Sequence, residues 1–326
     1  MEKIKINLDK LTLAKLYEDM ISFNFYKSDM KINKNGFLNI LIKNYFPLYD
    51  KEASQKINKY SKIVTNHLGI NYRSNEIIND LIKADNMFAF SKKEILDAHI
   101  SFKPSNSNFK IIQTILSKYL PLQSLASFFR SLIEHYLSLP QYKREQIIFN
   151  ETYSLIKESI EANRKILIHI NKEVKEVIPY KIVTNKEEIY NYLVCIIESP
   201  NHLQIHSFHL YKIDYVHLIP EKYIINEDYI QKLEKVASTY PQFPHTEQQL
   251  AKIQLTSEGI KLFKTKYLNR PTPYKIENNI YYFDCAHIQL LIYFFSFGKE
   301  AKILEPNNLK TAFKNKYLEA YNNYTD

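Results

Sequence analysis

The chain has 326 residues, of which 45% are hydrophobic, and it carries a formal net charge of +9. This size and composition favour two or three folded domains over a disordered chain. The charge, beside 26 tyrosines and 19 phenylalanines, favours an anionic partner with flat faces, such as nucleic acid. With four glycines and neither a P-loop nor a GxGxxG motif, the sequence excludes the usual phosphate-binding loops, so no cofactor is expected.

The beginning of the sequence, MEKIKINLDK, lacks the apolar stretch of a secretory signal. The longest apolar run, near residues 288–297, is about half as long as a bilayer span requires. Cys195 and Cys285 lie in apolar stretches and belong to no CxxC pair, which predicts buried thiols. We therefore expect a cytoplasmic protein without membrane contact, disulfides or thiolate metal sites.

The first predicted elements are a strand and a helix. In residues 3–8 (KIKINL), apolar side chains alternate with Lys3, Lys5 and Asn7, the period of a strand with one solvent-exposed face. Residues 12–23 follow with an apolar stripe at helical spacing.

The next helix face occurs twice in the sequence. Residues 37–45 (FLNILIKNY) and 128–136 (FFRSLIEHY) place Phe, Leu, Ile and Tyr at matching positions. Asn35 and Gly36 are expected to open the first copy, with exposed backbone N–H groups that suit an anion. Before the second copy, residues 98–103 (AHISFK) alternate as a strand, a helix follows, and Ser124 can cap the repeated helix. Both halves thus predict strand, helix, helix.

This repeated order resembles the ribbon-helix-helix DNA-binding family, in which two units pair their strands into an antiparallel ribbon that enters the major groove. The resemblance implies a single-chain pseudo-dimer within residues 1–140, with a helical insert over about 47–95. A lone strand leaves its backbone groups unpaired, so we expect the second unit to supply the partner strand. The outward face of the ribbon, expected to bind nucleic acid, would then consist of Lys3, Lys5 and Asn7, with His99, Ser101 and Lys103 opposite.

After a predicted helix over residues 151–163, five short strand-like runs follow: RKILIHI, EVIPYKIV, IYNYLVCII, HLQIHSF and KIDYVHLI. Turn or charged residues separate the runs. This pattern is typical of a small barrel or a strongly bent sheet.

The same runs resemble the WYL domain, a small Sm-like β-barrel of bacterial regulators and phage-defence proteins. The naming triplet reads Asn191-Tyr192-Leu193 here, and the Phe-Arg-Leu-x-Arg-Ile strand of the family reads 208–213, FHLYKI. The family holds a nucleic-acid or nucleotide ligand with positions that correspond to Tyr192, His209 and Lys212. Because His is largely neutral near pH 7 and Lys is a point charge, a loosely held ligand such as single-stranded RNA or DNA is favoured. The predicted site also includes His169 and Tyr180.

The remaining residues, about 253–326, alternate predicted strands and helices. They resemble the C-terminal extension of WYL proteins, an α+β unit commonly used for dimerisation. Tyr293, Phe294, Phe295 and Phe297 are too apolar for an exposed monomer surface, which predicts core or dimer interface.

The predicted fold class is therefore an α+β multidomain protein that forms a homodimer. The expected domains are an N-terminal ribbon-helix-helix helical module at 1–140, a central Sm-like WYL β-barrel at 141–220 and the C-terminal α+β dimerisation domain at 221–326.

Two further patterns resemble catalytic or metal sites. Arg130 and His135 have the Arg-x4-His spacing of a family of helical ribonucleases, but the spacing recurs at 164–169 across an expected helix-to-strand junction. His202, His206 and His209 would share a face only in a helix, whereas their segment has the pattern of a strand. No catalytic residue and no metal site is predicted.

The pairing of a ribbon-helix-helix module with a WYL domain resembles accessory proteins encoded beside compact type VI-D, RNA-targeting CRISPR effectors. That resemblance implies a non-enzymatic dimer that binds single-stranded RNA and raises the activity of a CRISPR effector nuclease. The alternative is a transcription regulator that binds operator duplex DNA through the ribbon and senses a nucleotide or single-stranded ligand with the WYL domain. The sequence leaves both hypotheses open.

Overall fold

The computed structural model describes residues 2–70, 72–85, 95–119, 124–187, 189–199, 202–245 and 249–324. The chain divides into two compact units, the first formed by Met1–Ser154 with Glu188–Asn191 and the second by Leu155–Glu187 with Tyr192–Asp326. Three sheets and a larger number of helices make up the described residues, which confirms the mixed α and β composition. The domain boundaries predicted from the sequence stay a prediction.

The first unit is mainly helical. Its elements, in chain order, are β1 (Ile4–Leu8), α1 (Lys10–Ser22), α2 (Lys34–Leu68), α3 (Tyr72–Ala84), β2 (Ala98–Phe102), α4 (Phe109–Tyr119), α5 (Leu125–Leu137), α6 (Gln141–Ile148) and the beginning of α7 (Asn150–Glu161).

Strands β1 and β2 form an antiparallel two-stranded ribbon. Lys5 lies opposite Ser101, and Asn7 lies opposite His99. These side chains are exposed, whereas the alternate apolar side chains are buried against the helices. The observed register confirms the predicted pairing of the two strands. The strands pair because each strand alone would leave its backbone groups unsatisfied. The ribbon-helix-helix family assignment itself stays a prediction.

The repeated helix face forms the core of the first unit. All eight matched residues of α2 and α5 are buried. The two helices contact each other through these rows: the ring centroid of Tyr136 lies 5.7 Å from that of Tyr45 and 6.5 Å from that of Phe37. The repeat therefore has a packing role, since two matching apolar rows cover one another.

Helix α2 begins at Lys34, one residue before the predicted start. The Asn33 side chain is the cap and accepts a hydrogen bond from the Gly36 N–H at 2.9 Å. A Cβ on Gly36 would lie 2.6 Å from the amide of Asn33, so a larger residue here would displace the Asn33 side chain from its capping position. The Asn35 side chain has another role: it accepts a hydrogen bond from the backbone N–H of Lys103 at 2.7 Å and holds the end of β2 against α2.

The second unit contains a five-stranded sheet. Its strands are β3 (Arg164–Ile170), β4 (Glu173–Thr184), β5 (Asn191–Ser199), β6 (His202–His209) and β7 (Ile213–Lys222), in the order β6-β5-β4-β3-β7. Helix α8 (Glu227–Ser238) packs Leu233 and Val236 on one face of this sheet. Within the described residues β6 and β7 are not neighbours, so the sheet is open and the predicted Sm-like closed barrel is not confirmed. Short alternating strands do not separate the two architectures, since a bent open sheet also buries one face.

A second sheet forms the C-terminal part of this unit. The elements are β8 (Leu250–Leu255), α9 (Ser257–Thr265), β9 (Pro273–Glu277), β10 (Ile280–Asp284), α10 (His287–Phe295), β11 (Ala301–Glu305) and α11 (Asn307–Asn322). The strand order is β11-β8-β10-β9. Tyr293, Phe294 and Phe297 are buried in this core, and the ring of Phe295 stacks on Tyr317 at 4.7 Å. The apolar run thus belongs to the core, and dimerisation through this region stays a prediction.

Both cysteines are buried free thiols, as predicted. Burial raises the pKa of both, that of Cys285 to about 12, so neither thiol ionises readily at neutral pH. Of the helices in the described ranges, none combines the length and the apolar composition needed to cross a bilayer.

Candidate nucleic-acid interface

The outward face of the ribbon is polar and basic. Lys5, Asn7, His99 and Ser101 form two cross-strand pairs of exposed side chains. The apolar side chains between them point into the core, so the backbone holds these four side chains in a fixed register. Such a face can donate hydrogen bonds to phosphates or to base edges.

A cleft of about 640 Å³ opens beside the ribbon. The residues that line it come from the ends of β1 and β2, the loop before α2 and the first residues of α2. They include Lys3, Lys27, Lys31, Lys34 and Lys103. We call these five residues the lysine cleft.

The lysine cleft carries little compensating negative charge. Asp29 pairs with Lys31 at 3.0 Å, and its hydrogen bonds to Lys31 lower the pKa of the Asp29 carboxyl. Across the described residues no carboxylate lies within ion-pair distance of the other four lysines. The N-terminal N–H groups of α2 add a positive partial charge. Because the first turn of α2 has no acidic residue, no carboxylate there offsets this charge. The arrangement attracts a polyanion.

The lysine cleft is largely missing from the sequence-based prediction, which named only Lys3 as a candidate ligand and Lys103 as a ribbon residue. Lys27 and Lys31 lie in a loop without periodicity. Their proximity to the ribbon depends on the packing of α2 against β2, which no local pattern indicates.

The structure brings Tyr192, His209 and Lys212 together at one end of the five-stranded sheet. Tyr192 lies directly opposite His209 in the β5–β6 pair, with ring centroids 4.3 Å apart, and Lys212 follows in an exposed turn. The Tyr192 ring packs against His209 and is only 3% exposed. It therefore offers little area on which a base can stack.

His209 is uncharged at neutral pH. Burial, with a smaller contribution from the charge of Lys212, lowers the pKa of His209 to about 4. Lys212 is therefore the one cation that these three residues offer to a phosphate.

His209 is expected to make the stability of the protein sensitive to acid. Its folded pKa of about 4 lies below its ordinary 6.5, so the unfolded chain takes up a proton first, and stability present above pH 6.5 falls as pH drops towards 4. After allowance for partial exposure, we expect the wild type to lose about 2 kcal/mol more than His209→Gln over this window. Urea unfolding at several pH values measures the difference. Parallel pH curves for the two proteins would contradict the prediction, and His217→Gln, at an exposed position, serves as the control.

His169 and Tyr180 make their contacts elsewhere. His169 contacts Tyr215 and His217 on β7, with ring centroids 6.0 and 5.6 Å apart. Tyr180 donates a hydrogen bond to the carboxylate of Glu234 on α8 at 2.9 Å, a setting that disfavours a phosphate. His169 and Tyr180 thus pack against residues outside the predicted site.

Tyr215, the most exposed ring near these residues, was not among the predicted site residues. Tyr215 is 66% exposed and lies opposite His169 in the β3–β7 pair. With His169 and His217 it forms an aromatic face on the sheet. The alternation in KIDYVHLI could have indicated its outward position.

Asn191, at the first position of the naming triplet, is a buried structural residue. Its backbone N–H and its side-chain amide both donate to the Glu145 carboxylate, at 2.6 and 2.7 Å. Its carbonyl oxygen accepts from Gln146 at 2.8 Å. Because the neighbouring polar groups depend on it, we assign it no ligand role.

The described part of the chain contains no group of three or more His, Cys, Asp or Glu side chains that could hold a metal ion.

No protein-family model and no curated protein matches this chain. Among solved structures, the chain is similar to a CRISPR Cas-related protein, with a TM-score of 0.76 and 21% identity over 100% of this chain and 95% of that chain. At this identity the likeness shows a shared fold. Proteasome accessory factor B/C of Arthrobacter aurescens is a much weaker neighbour, with a TM-score of 0.28 and 15% identity over 72% of this chain and 38% of that chain.

Proposed function

We propose that this protein is a regulator that binds nucleic acid and is not an enzyme. The observation that carries the proposal is the lysine cleft beside the ribbon, where four of five lysines have no carboxylate partner among the described residues. A cation cluster of this kind neutralises phosphates and releases their counterions, which supplies most of the affinity for a nucleic acid.

The setting that we propose is a CRISPR system, because the neighbour with the same fold is described as CRISPR Cas-related. In this setting the protein is an accessory factor that binds single-stranded RNA and raises the activity of an RNA-targeting effector nuclease, of type VI-D in the finer form of the hypothesis. The exposed rings of Tyr215 and His217, with the half-buried ring of His169 beside them, support a single-stranded ligand, since only unpaired bases can stack on them.

A second candidate function is regulation of transcription through operator duplex DNA. The paired side chains of the ribbon favour it: Lys5 and Asn7 lie opposite Ser101 and His99, and all four are exposed. A two-stranded ribbon fits the major groove, where such side chains reach base edges.

Fluorescence anisotropy with labelled single-stranded RNA and duplex DNA of equal length distinguishes the accessory factor from the transcription regulator. We expect tighter binding of the RNA, and we expect Tyr215→Ala to weaken it about tenfold because one stacked base is lost. Duplex binding should change little with this variant. Tyr321→Ala, which removes an equally exposed ring (65%) from α11, is the matched control. Preference for a palindromic duplex, with binding lost in Lys5→Ala, would support the second candidate instead.

The regulatory part of the proposal has its own assay. Added to an RNA-targeting effector nuclease, the protein should increase target cleavage, while the protein alone should leave RNA intact. We propose a homodimer as the active form, which sedimentation velocity can check. Cleavage by the protein alone that disappears in His135→Ala would contradict the non-enzymatic assignment.

A further inference from the structure

A cavity of about 320 Å³ lies within the first unit, and the residues that line it include none of the ribbon residues named above. Helices α2, α5, α6 and α7 supply its walls. This volume is at the lower end of the range for small-molecule sites and suits one nucleotide-sized molecule rather than a polymer.

The imidazole ring of His135 lines the cavity and is held in place by two tyrosine rings. His135 on α5 stacks on the ring of Tyr45, with centroids 6.0 Å apart, and meets Tyr49 edge-on at 5.5 Å. The Tyr45 hydroxyl lies 2.5 Å from His135 Nδ1. Burial raises the pKa of the Tyr45 phenol and lowers the pKa of His135, so at neutral pH the phenol keeps its proton and the ring is neutral.

The other ring nitrogen faces a carboxylate without bonding to it. His135 Nε2 lies 3.9 Å from Glu52 Oε2, too far for a hydrogen bond. Because the carboxylate is on this side of the ring, the neutral imidazole keeps its proton on Nε2 and Nδ1 accepts from Tyr45. The cavity therefore presents an N–H donor beside a carboxylate acceptor, and both are partly exposed, at 23% and 48%.

The remaining lining fits the other parts of a nucleotide. Leu48, Leu139 and Tyr153 provide apolar surface for a flat base. Lys143, an exposed cation of α6, lies at the same cavity and can pair with a phosphate.

We propose that this cavity binds a guanine nucleoside monophosphate. The Nε2–H of His135 donates to the O6 carbonyl of the base, and the Glu52 carboxylate accepts from the adjacent N1–H and 2-amino group. Guanine alone among the four RNA bases has one acceptor followed by two donors along this edge, so a carboxylate beside a donor selects it. Lys143 contacts the phosphate. This site is independent of the nucleic-acid contact at the lysine cleft.

Isothermal titration of the full-length protein with GMP, AMP, UMP and CMP tests the proposal. We expect GMP to bind most tightly and Glu52→Gln to weaken it about tenfold or more, because the amide cannot accept from both donors. Glu18→Gln, at an exposed position of α1, is the matched control and should bind GMP as the wild type does. Lys143→Ala should weaken GMP but leave guanosine unchanged.

Lys5→Ala, in the ribbon, should retain GMP binding, which separates this cavity from the polyanion site. The proposal is overturned if GMP does not bind, if the four nucleotides bind equally, or if Glu52→Gln binds GMP as tightly as the wild type. Circular dichroism of Glu52→Gln verifies that the variant is folded.

Discussion

Replacing Arg144 by alanine is expected to destabilise the first unit by about 3–5 kcal/mol. Arg144 on α6 forms a bidentate pair with Asp19 on α1: Nε and Nη2 each donate to one carboxylate oxygen at 2.7 Å. Its Nη1 donates to the backbone carbonyl of Leu139 at 2.6 Å. Asp19 is 1% exposed, so removal of the guanidinium leaves a buried carboxylate without its counter-charge.

Urea unfolding followed by circular dichroism measures this loss. Arg73→Ala, which removes an exposed arginine from α3, is the control and should change the free energy of unfolding by less than about 0.5 kcal/mol. The double variant Asp19→Leu with Arg144→Met should recover most of the loss, because apolar side chains of similar size remove the unpaired charge together with its partner. A loss below about 1 kcal/mol in Arg144→Ala would show that water reaches Asp19.

This ion pair marks the limit of what the sequence could predict of the fold. The pairing of β1 with β2 and the burial of the repeated helix face follow from periodicity within short segments, which local sequence reports well. Asp19 and Arg144 are 125 residues apart. From the local sequence, each is predicted to be an exposed charge on an amphipathic helix. Only the packing of α1 against α6 makes them a pair. The open sheet escaped prediction for a similar reason, because closure depends on the edges of the sheet and not on the strands themselves.

For the candidate site, too, the sequence indicates which residues are neighbours but not how exposed they are. The resemblance to the WYL motif pointed to Tyr192, His209 and Lys212, which the structure places side by side, and their role in ligand binding stays a prediction. It could not give their exposure, since burial of Tyr192 and the low pKa of His209 depend on the neighbouring strands. The lysine cleft adds Lys27 and Lys31, two loop lysines whose spacing has no pattern, to the predicted residues Lys3 and Lys103.

The second large effect, on the affinity for RNA, is expected at the lysine cleft. Replacing its four unpaired lysines by alanine should weaken binding of single-stranded RNA on the order of several hundredfold near 0.1 M salt. The physical reason is counterion release: with about 0.7 counterions released per phosphate of a single strand, loss of four contacts lowers the slope of log affinity against log salt by roughly 3. The variant carries alanine at Lys3, Lys27, Lys34 and Lys103.

A matched control separates this local effect from a change in net charge. Alanine at Lys264, Lys302, Lys310 and Lys314, all exposed in the C-terminal part of the second unit, removes the same charge from elsewhere. Because release requires direct phosphate contact, the control should keep nearly the wild-type salt slope, whereas long-range attraction alone would make the two variants alike. Equal slopes for both variants would therefore exclude the lysine cleft as the contact. With duplex DNA as the ligand, for which about 0.9 counterions are released per contact, the same variant should show a decrease in slope nearer 4 than 3.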